Sequence, residues 1–128
     1  MSKTVFIFVI FFYLDFYATG DESVYLSNHE ACVKLSGVDE TLLETIYEGD
    51  VFEDMKFKTY IHCFFKKSGF QDENGVMHFD AIKSSFHKDF SQTENIDKTI
   101  TECEEKKLNG ESALETAFLH FKCFMGEL

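Results

Sequence analysis

Apolar residues recur along this chain at spacings of three and four with polar residues between them, which is the period of helices packed by one face. A first helix is predicted over Ser23–Leu35, with Val24, Ala31, Cys32 and Leu35 on its inner side and Gly37 closing it. Asp39 caps a short second helix that carries Leu42, Leu43, Ile46 and Tyr47 and stops at Gly49. Asp50 and Glu53 resemble a capping box for a longer third helix that ends at Gly69. Gln71–His78 reads as a turn-rich connection built on Asn74-Gly75, followed by a fourth helix with Phe79, Ile82, Phe86 and Phe90 on one face. Ser91 with Glu94 opens a fifth helix bearing Ile96, Ile100 and Cys103, and Ser112 with Glu115 opens a sixth. The pattern predicts an all-α fold, a compact bundle of about six helices.

Two of these helices are apolar on more than one side. At about 100° per residue, Leu114, Ala117, Phe118 and Phe121 share one face of the sixth while Leu119 and Cys123 fall opposite. The third places Phe52, Met55, Thr59 and Cys63 along one side and turns Phe57, Ile61 and Phe64 away from it. A helix with two apolar faces belongs in the interior, so the remaining helices are expected to wrap these two.

The N-terminus follows another pattern. Lys3 precedes an unbroken apolar run, Val5–Leu14, and Ala18-Thr19-Gly20 supplies small residues for cleavage, so residues 1–20 are predicted to be a secretion signal and 21–128 one helical domain. A membrane span needs about 20 apolar residues, and Asp15 interrupts this run early. Secretion places the four cysteines, Cys32, Cys63, Cys103 and Cys123, in an oxidising compartment, where an even count in a short chain reads as two disulfides. The sequence alone permits three pairings. The net charge is −11, and removing Lys3 and Asp15 with the signal leaves it unchanged. Such acidity argues against nucleic acid and anionic membranes as partners.

Candidate chemistry is sparse. Asp72, Asn74 and Gly75 suggest a calcium loop, but the ligand spacing, the glycine position and the closing glutamate are wrong. There is no Gly-x-Ser-x-Gly elbow, no His-Glu-x-x-His pair and no glycine-rich phosphate loop. No catalytic residue, metal or cofactor is expected.

The cysteine spacing and the runs around it, Tyr60-Ile-His-Cys-Phe-Phe-Lys-Lys-Ser-Gly69 and Thr116-Ala-Phe-Leu-His-Phe-Lys-Cys-Phe124, resemble the insect odorant-binding proteins of the pheromone-binding and general odorant-binding type. Members usually carry six cysteines. Here the first, third, fourth and sixth match, while the second and fifth fall at Thr59 and Leu114, the pattern of the four-cysteine "minus-C" subgroup. The resemblance implies bridges from Cys32 to Cys63 and from Cys103 to Cys123. It leaves contact between Thr59 and Leu114 where relatives have a third bridge.

The resemblance also implies a secreted, extracellular carrier that binds a small hydrophobic ligand, such as an odorant, pheromone or fatty-acid-like molecule, in an internal apolar cavity. Candidate lining residues are Met55, Phe64, Phe79, Ile82, Phe86, Ile100, Leu114, Phe118 and Phe121, with Tyr47, Thr59 or Tyr60 as polar handles. An olfactory role would make a membrane odorant receptor an indirect partner, with no membrane insertion of the mature chain and a monomer or weak homodimer in solution. The alternative is a secreted helical interaction or signalling factor, cytokine-like or a venom component, with a solid core and no ligand. The 16 phenylalanines suit either reading, since aromatic side chains both fill cores and line permissive pockets.

Overall fold

The computed structural model of the chain describes residues 22–45, 53–87 and 94–128. Among them are six α-helices: α1 (Glu22–Ser36), α2 (Glu40–Thr45), α3 (Met55–Lys67), α4 (Phe79–His87), α5 (Glu94–Glu105) and α6 (Ala113–Phe124). An isolated antiparallel bridge between Gln71 and Met77 closes the loop before α4, and the described residues contain no strand. None of the described helices is long and apolar enough to cross a membrane. The expected signal, Ile46, Tyr47, Gly49, Asp50, Phe52, Phe90 and Ser91 lie outside the described residues, as do the side chains of Val24 and Phe86.

Local chemistry sets the helix ends. Asp54, not Asp50, is the N-cap of α3: its carboxylate accepts from the Phe57 N–H at 3.0 Å. Glu53 cannot complete a capping box because its carboxylate is taken by Lys122 Nζ at 2.6 Å and Lys58 Nζ at 3.6 Å. Ser112 caps α6 as the sequence predicts, accepting from Glu115 N at 3.1 Å. Glu115 does not return the bond, and its two carboxylate oxygens each lie 3.2 Å from Lys58 Nζ. At the other end of α3, Gly69 takes φ +81°, a left-handed conformation that costs a side-chain-bearing residue energy. That turn lets Gly69 N–H donate to Lys66 O at 3.2 Å and Phe70 N–H to Phe65 O at 2.9 Å. Phe70 then packs edge-on against Phe65, 5.7 Å between centroids, which is the hydrophobic contact such helix ends favour.

The principal packings run α1 on α3, α3 on α6, α6 on α5 and α5 on α4. Two disulfides, Cys32–Cys63 and Cys103–Cys123, join α1 to α3 and α5 to α6. Each outer partner is thus bonded to one of the two inner helices, with about 2–4 kcal/mol expected per bridge. The ion pairs Lys122–Glu53 and Lys58–Glu115 tie the N-terminal end of α3 to the last and first turns of α6, respectively.

Phe57 anchors their contact, meeting Phe118 at 6.0 Å and Phe121 at 5.5 Å, both edge-on. This settles which side of α3 is buried: Phe57, Tyr60, Ile61, Cys63 and Phe65. The expected stripe through Met55 and Thr59 is not buried with Cys63. Met55 is 59% exposed, and Thr59 turns its hydroxyl back to Met55 O at 2.8 Å. Both residues lie about 200° around the helix from Phe57, so the choice of Phe57 as anchor turns them outward. In α6, by contrast, Thr116, Ala117, Phe118, His120, Phe121, Cys123 and Phe124 are all buried, as befits a helix in the middle of the bundle.

Thr59 and Leu114 are half-buried, and the tie beside them is ionic. Lys58 and Glu115, one residue from each, join α3 to α6, and the ammonium groups of Lys58 and Lys122 stand 5.2 and 5.7 Å over the Phe118 ring. Farther along, the 70–78 loop is held to α6 by Gln71, whose side-chain N–H groups donate to Ala113 O at 2.9 Å and Gly75 O at 3.2 Å. Gly110 passes so close to α6 that a Cβ there would lie 2.6 Å from Glu115 Cβ and 2.8 Å from its backbone carbon.

Two outcomes are expected from denaturant unfolding. A double-mutant cycle on Lys58→Met and Glu115→Gln gives a coupling of roughly 1 kcal/mol, and a coupling of zero removes the ionic tie from the account. Gly110→Ala lowers stability by about 1–3 kcal/mol, the range for overpacking against backbone, and a neutral effect shows that this approach relaxes freely.

Candidate functional site

The interior offers an apolar surface dominated by aromatic rings. Ile82, Ile100, Phe118, Phe121 and Tyr60, all expected as lining residues, are at most 4% exposed. Phe64 and Phe79 are partly buried against the same cluster, and Phe64 lies 6.1 Å from the Tyr60 ring. Leu114 and Thr59 are half-buried, while Met55 faces outward. The structure therefore gathers residues of α3, α4, α5 and α6 around the α3–α6 contact, leaving Met55 aside. Tyr47 and the Phe86 side chain lie outside the described residues.

The two polar handles among the described residues, Tyr60 and Thr59, are already engaged. Tyr60 places its hydroxyl 2.7 Å from His29 Nδ1, and His29 Nε2 lies 3.4 Å from Glu40, so one line of contacts joins α3, α1 and α2. Thr59 spends its hydroxyl on its own helix. His29 had no part in the sequence reading because its partner lies 31 residues away, across a helix packing that periodicity does not encode.

Two clefts open on the surface around the 70–78 loop. The first, about 470 Å³, is walled by charged and polar side chains that include Lys66, Lys67, Asp72, Glu73 and His78. Asp72 organises it. One carboxylate oxygen accepts from Asn74 N at 2.8 Å and Val76 N at 3.0 Å, and the other lies 3.0 Å from His78 Nε2. The His78 contact, followed by the backbone donors, holds the Asp72 carboxyl below the usual range. This carboxylate is occupied in fixing its own loop.

The second cleft, about 340 Å³, separates residues 74–77 and Phe79 from Glu104 and residues 107–109, with Thr116 and His120 of α6 in its lining. His120 is 3% exposed. Its Nδ1 lies 2.8 Å from Thr116 O, and since a carbonyl can only accept, Nδ1 carries the proton. Phe79 and Phe124 flank the ring at 5.4 and 6.2 Å. Burial pushes the His120 imidazole below its ordinary pKa, opposed by the bond to Thr116, so the ring is neutral at neutral pH. Sequence reasoning missed this residue. The available signal was a histidine on a helix apolar all round, where a side chain that is only sometimes charged has no solvent face to occupy.

The PBP/GOBP family profile matches residues 21–127. Odorant-binding protein 10 of Aedes aegypti is 26% identical over 95 residues, which cover 73% of this chain and 65% of the relative, just under two thirds of its length. No solved structure matches the chain.

The neutral His120 sets a pH dependence. The unfolded chain takes up the proton at the ordinary imidazole value and the folded chain only at lower pH, so stability is complete above about pH 6.5 and declines below it. The slope has an upper limit of about 1.4 kcal/mol per pH unit for one histidine; His62, also lowered chiefly by burial, acts in the same direction. Asp39, Glu53 and Asp72, all held low, act in a separate and more acidic window. Urea midpoints measured from about pH 8 to pH 5 should fall with pH in this range, less steeply in His120→Phe; equal slopes would show that His120 does not carry the effect.

Proposed function

The chain belongs to the PBP/GOBP family, and from that premise we propose that it is a secreted carrier of small hydrophobic ligands, held in the apolar interior around the contact of α3 and α6. The observation that carries the reading is the family match over nearly all of residues 21–128, a match to a family of binding proteins rather than enzymes. The similarity to a protein named for odorant binding makes odorant-like molecules the first ligands to try.

Physical chemistry bounds what such a site must do. A ligand burying about eight methylenes gains roughly 6 kcal/mol from transfer at about 0.8 kcal/mol each, and association opposes part of this. Micromolar binding, about −8 kcal/mol, therefore requires close aromatic contact beyond simple transfer. The rings of Phe57, Phe118 and Phe121 pack edge-on and Phe64 lies beside Tyr60, so the surface is one of polarizable faces and edges. With Tyr60 committed to His29 and Thr59 to Met55, the interior favours shape and apolar area over polar specificity. Two bridges and no free cysteine among the described residues suit passage through an oxidising compartment, which supports secretion.

Displacement of a fluorescent apolar probe from the oxidised, refolded protein tests the reading. Saturable probe binding in the micromolar range, displaced by medium-chain apolar molecules, is the expected result. No binding to a sample in which mass spectrometry finds both disulfides would leave a solid-cored interaction factor as the function.

A further inference from the structure

His120 places an acceptor where the fold makes no use of it. Its Nδ1 proton is committed to Thr116 O at 2.8 Å, so Nε2 carries a lone pair, and as the outer nitrogen of the ring it lies farther from the helix backbone. Nε2 has no hydrogen-bond partner among the described residues, and it is not one of the side-chain atoms sealed from solvent without a partner, such as His62 Nε2 and Gln71 Oε1. His120, only 3% exposed, thus keeps one reachable, unpartnered acceptor, and the residue lines the 340 Å³ cleft.

The remaining surfaces of the cleft narrow the chemistry. Met77, Phe79 and Leu108 are partly buried apolar residues packed on the core, and they supply the walls. Glu104 and Lys107, opposite in charge, line it together with Asn74 and Asn109. The volume lies at the small end of ligand pockets. A carboxylate has no proton to offer Nε2 at neutral pH and would set its charge against the lone pair. An ether or alkane would leave Nε2 unbonded.

We propose that the cleft between the 74–79 segment and the α5–α6 connection is a second ligand site, separate from the interior, which takes a small molecule with an apolar chain and a hydroxyl group, the hydroxyl donating to His120 Nε2. The donor is neutral and so is the acceptor, which a low-dielectric floor tolerates where it would penalise a charge. The apolar chain lies against Met77, Phe79 and Leu108. Protonation of His120 in acid converts Nε2 from acceptor to donor, which reverses the bond, the hydroxyl oxygen then accepting from Nε2–H. Of the titratable groups in the cleft, Glu104 favours that protonation and Lys107 opposes it.

The test uses the full-length oxidised protein labelled with nitrogen-15 and two probes, 1-hexanol and its methyl ether. Long-range proton–nitrogen correlation reads the state of His120 directly. Free protein should show the Nδ1–H tautomer, and hexanol should move the Nε2 resonance saturably upfield while the ether leaves it in place. Affinity read from the backbone amides of Gly75 and Asn109 should fall about three- to tenfold in His120→Phe, the range expected from one hydrogen bond. An Nε2–H tautomer in the free protein, an equal response to alcohol and ether, or an unmoved Nε2 at saturating hexanol would overturn the proposal. The measurement on the unsubstituted protein stands if the variant does not fold. Because probe displacement from the interior is read separately, either site can fail without the other.

Discussion

The contact between α3 and α6 is the constraint on which the rest of the molecule depends. Neither disulfide crosses it: one ties α1 to α3 and the other α5 to α6, so the covalent links fasten outer helices to the inner pair while the inner pair has none between its members. What joins them is Phe57 edge-on to Phe118 and Phe121, closed at the surface by Lys58 and Lys122 with Glu53 and Glu115. The arrangement uses each interaction where it is strongest. The rings are buried, where dispersion and area are greatest, and the largely buried ammonium groups of Lys58 and Lys122 stand over the Phe118 ring, each paired with a more exposed carboxylate.

The same contact decides where polar groups go. Choosing Phe57 as the anchor turns Met55 and Thr59 outward and brings Tyr60 toward α1, where His29 meets its hydroxyl. With most of α6 buried, His120 sits in the lining of the cleft under the 70–78 loop. Two buried polar side chains on the two inner helices therefore have different fates. Tyr60 is consumed by a neighbour, while His120 keeps an acceptor in reserve.

The loop that covers His120 is itself a product of close packing. Gln71 ties it to the first turn of α6, Asp72 folds it through Asn74, Val76 and His78, and Gly75 comes within 3.0 Å of Ala113 measured from where its Cβ would be. A residue pattern that resembles a cation loop in sequence is thus a brace against a helix. The cleft exists because this brace and the α5–α6 connection approach α6 from two sides without meeting.

Much of the fold was legible in the sequence. Period, caps and glycines locate the helices because they act over three or four residues; Gly37, Ser112 and Gly69 mark ends that the structure reproduces. An apolar circumference marked α6 as central, and cysteine spacing pointed to the family. The sequence left the cysteine pairing with three solutions on spacing alone, placed the start of α3 four residues early, and did not reveal Lys58–Glu115, Tyr60–His29 or the cleft at His120. Each of these depends on which faces meet across separations such as the 57 residues between Lys58 and Glu115. Hydrophobic period tells a helix that it must be buried and along which stripe, but two stripes of similar apolarity on α3 are equal until a partner is chosen. Only the packed structure makes that choice, because only there does the area buried against one neighbour compete with the area left exposed on another.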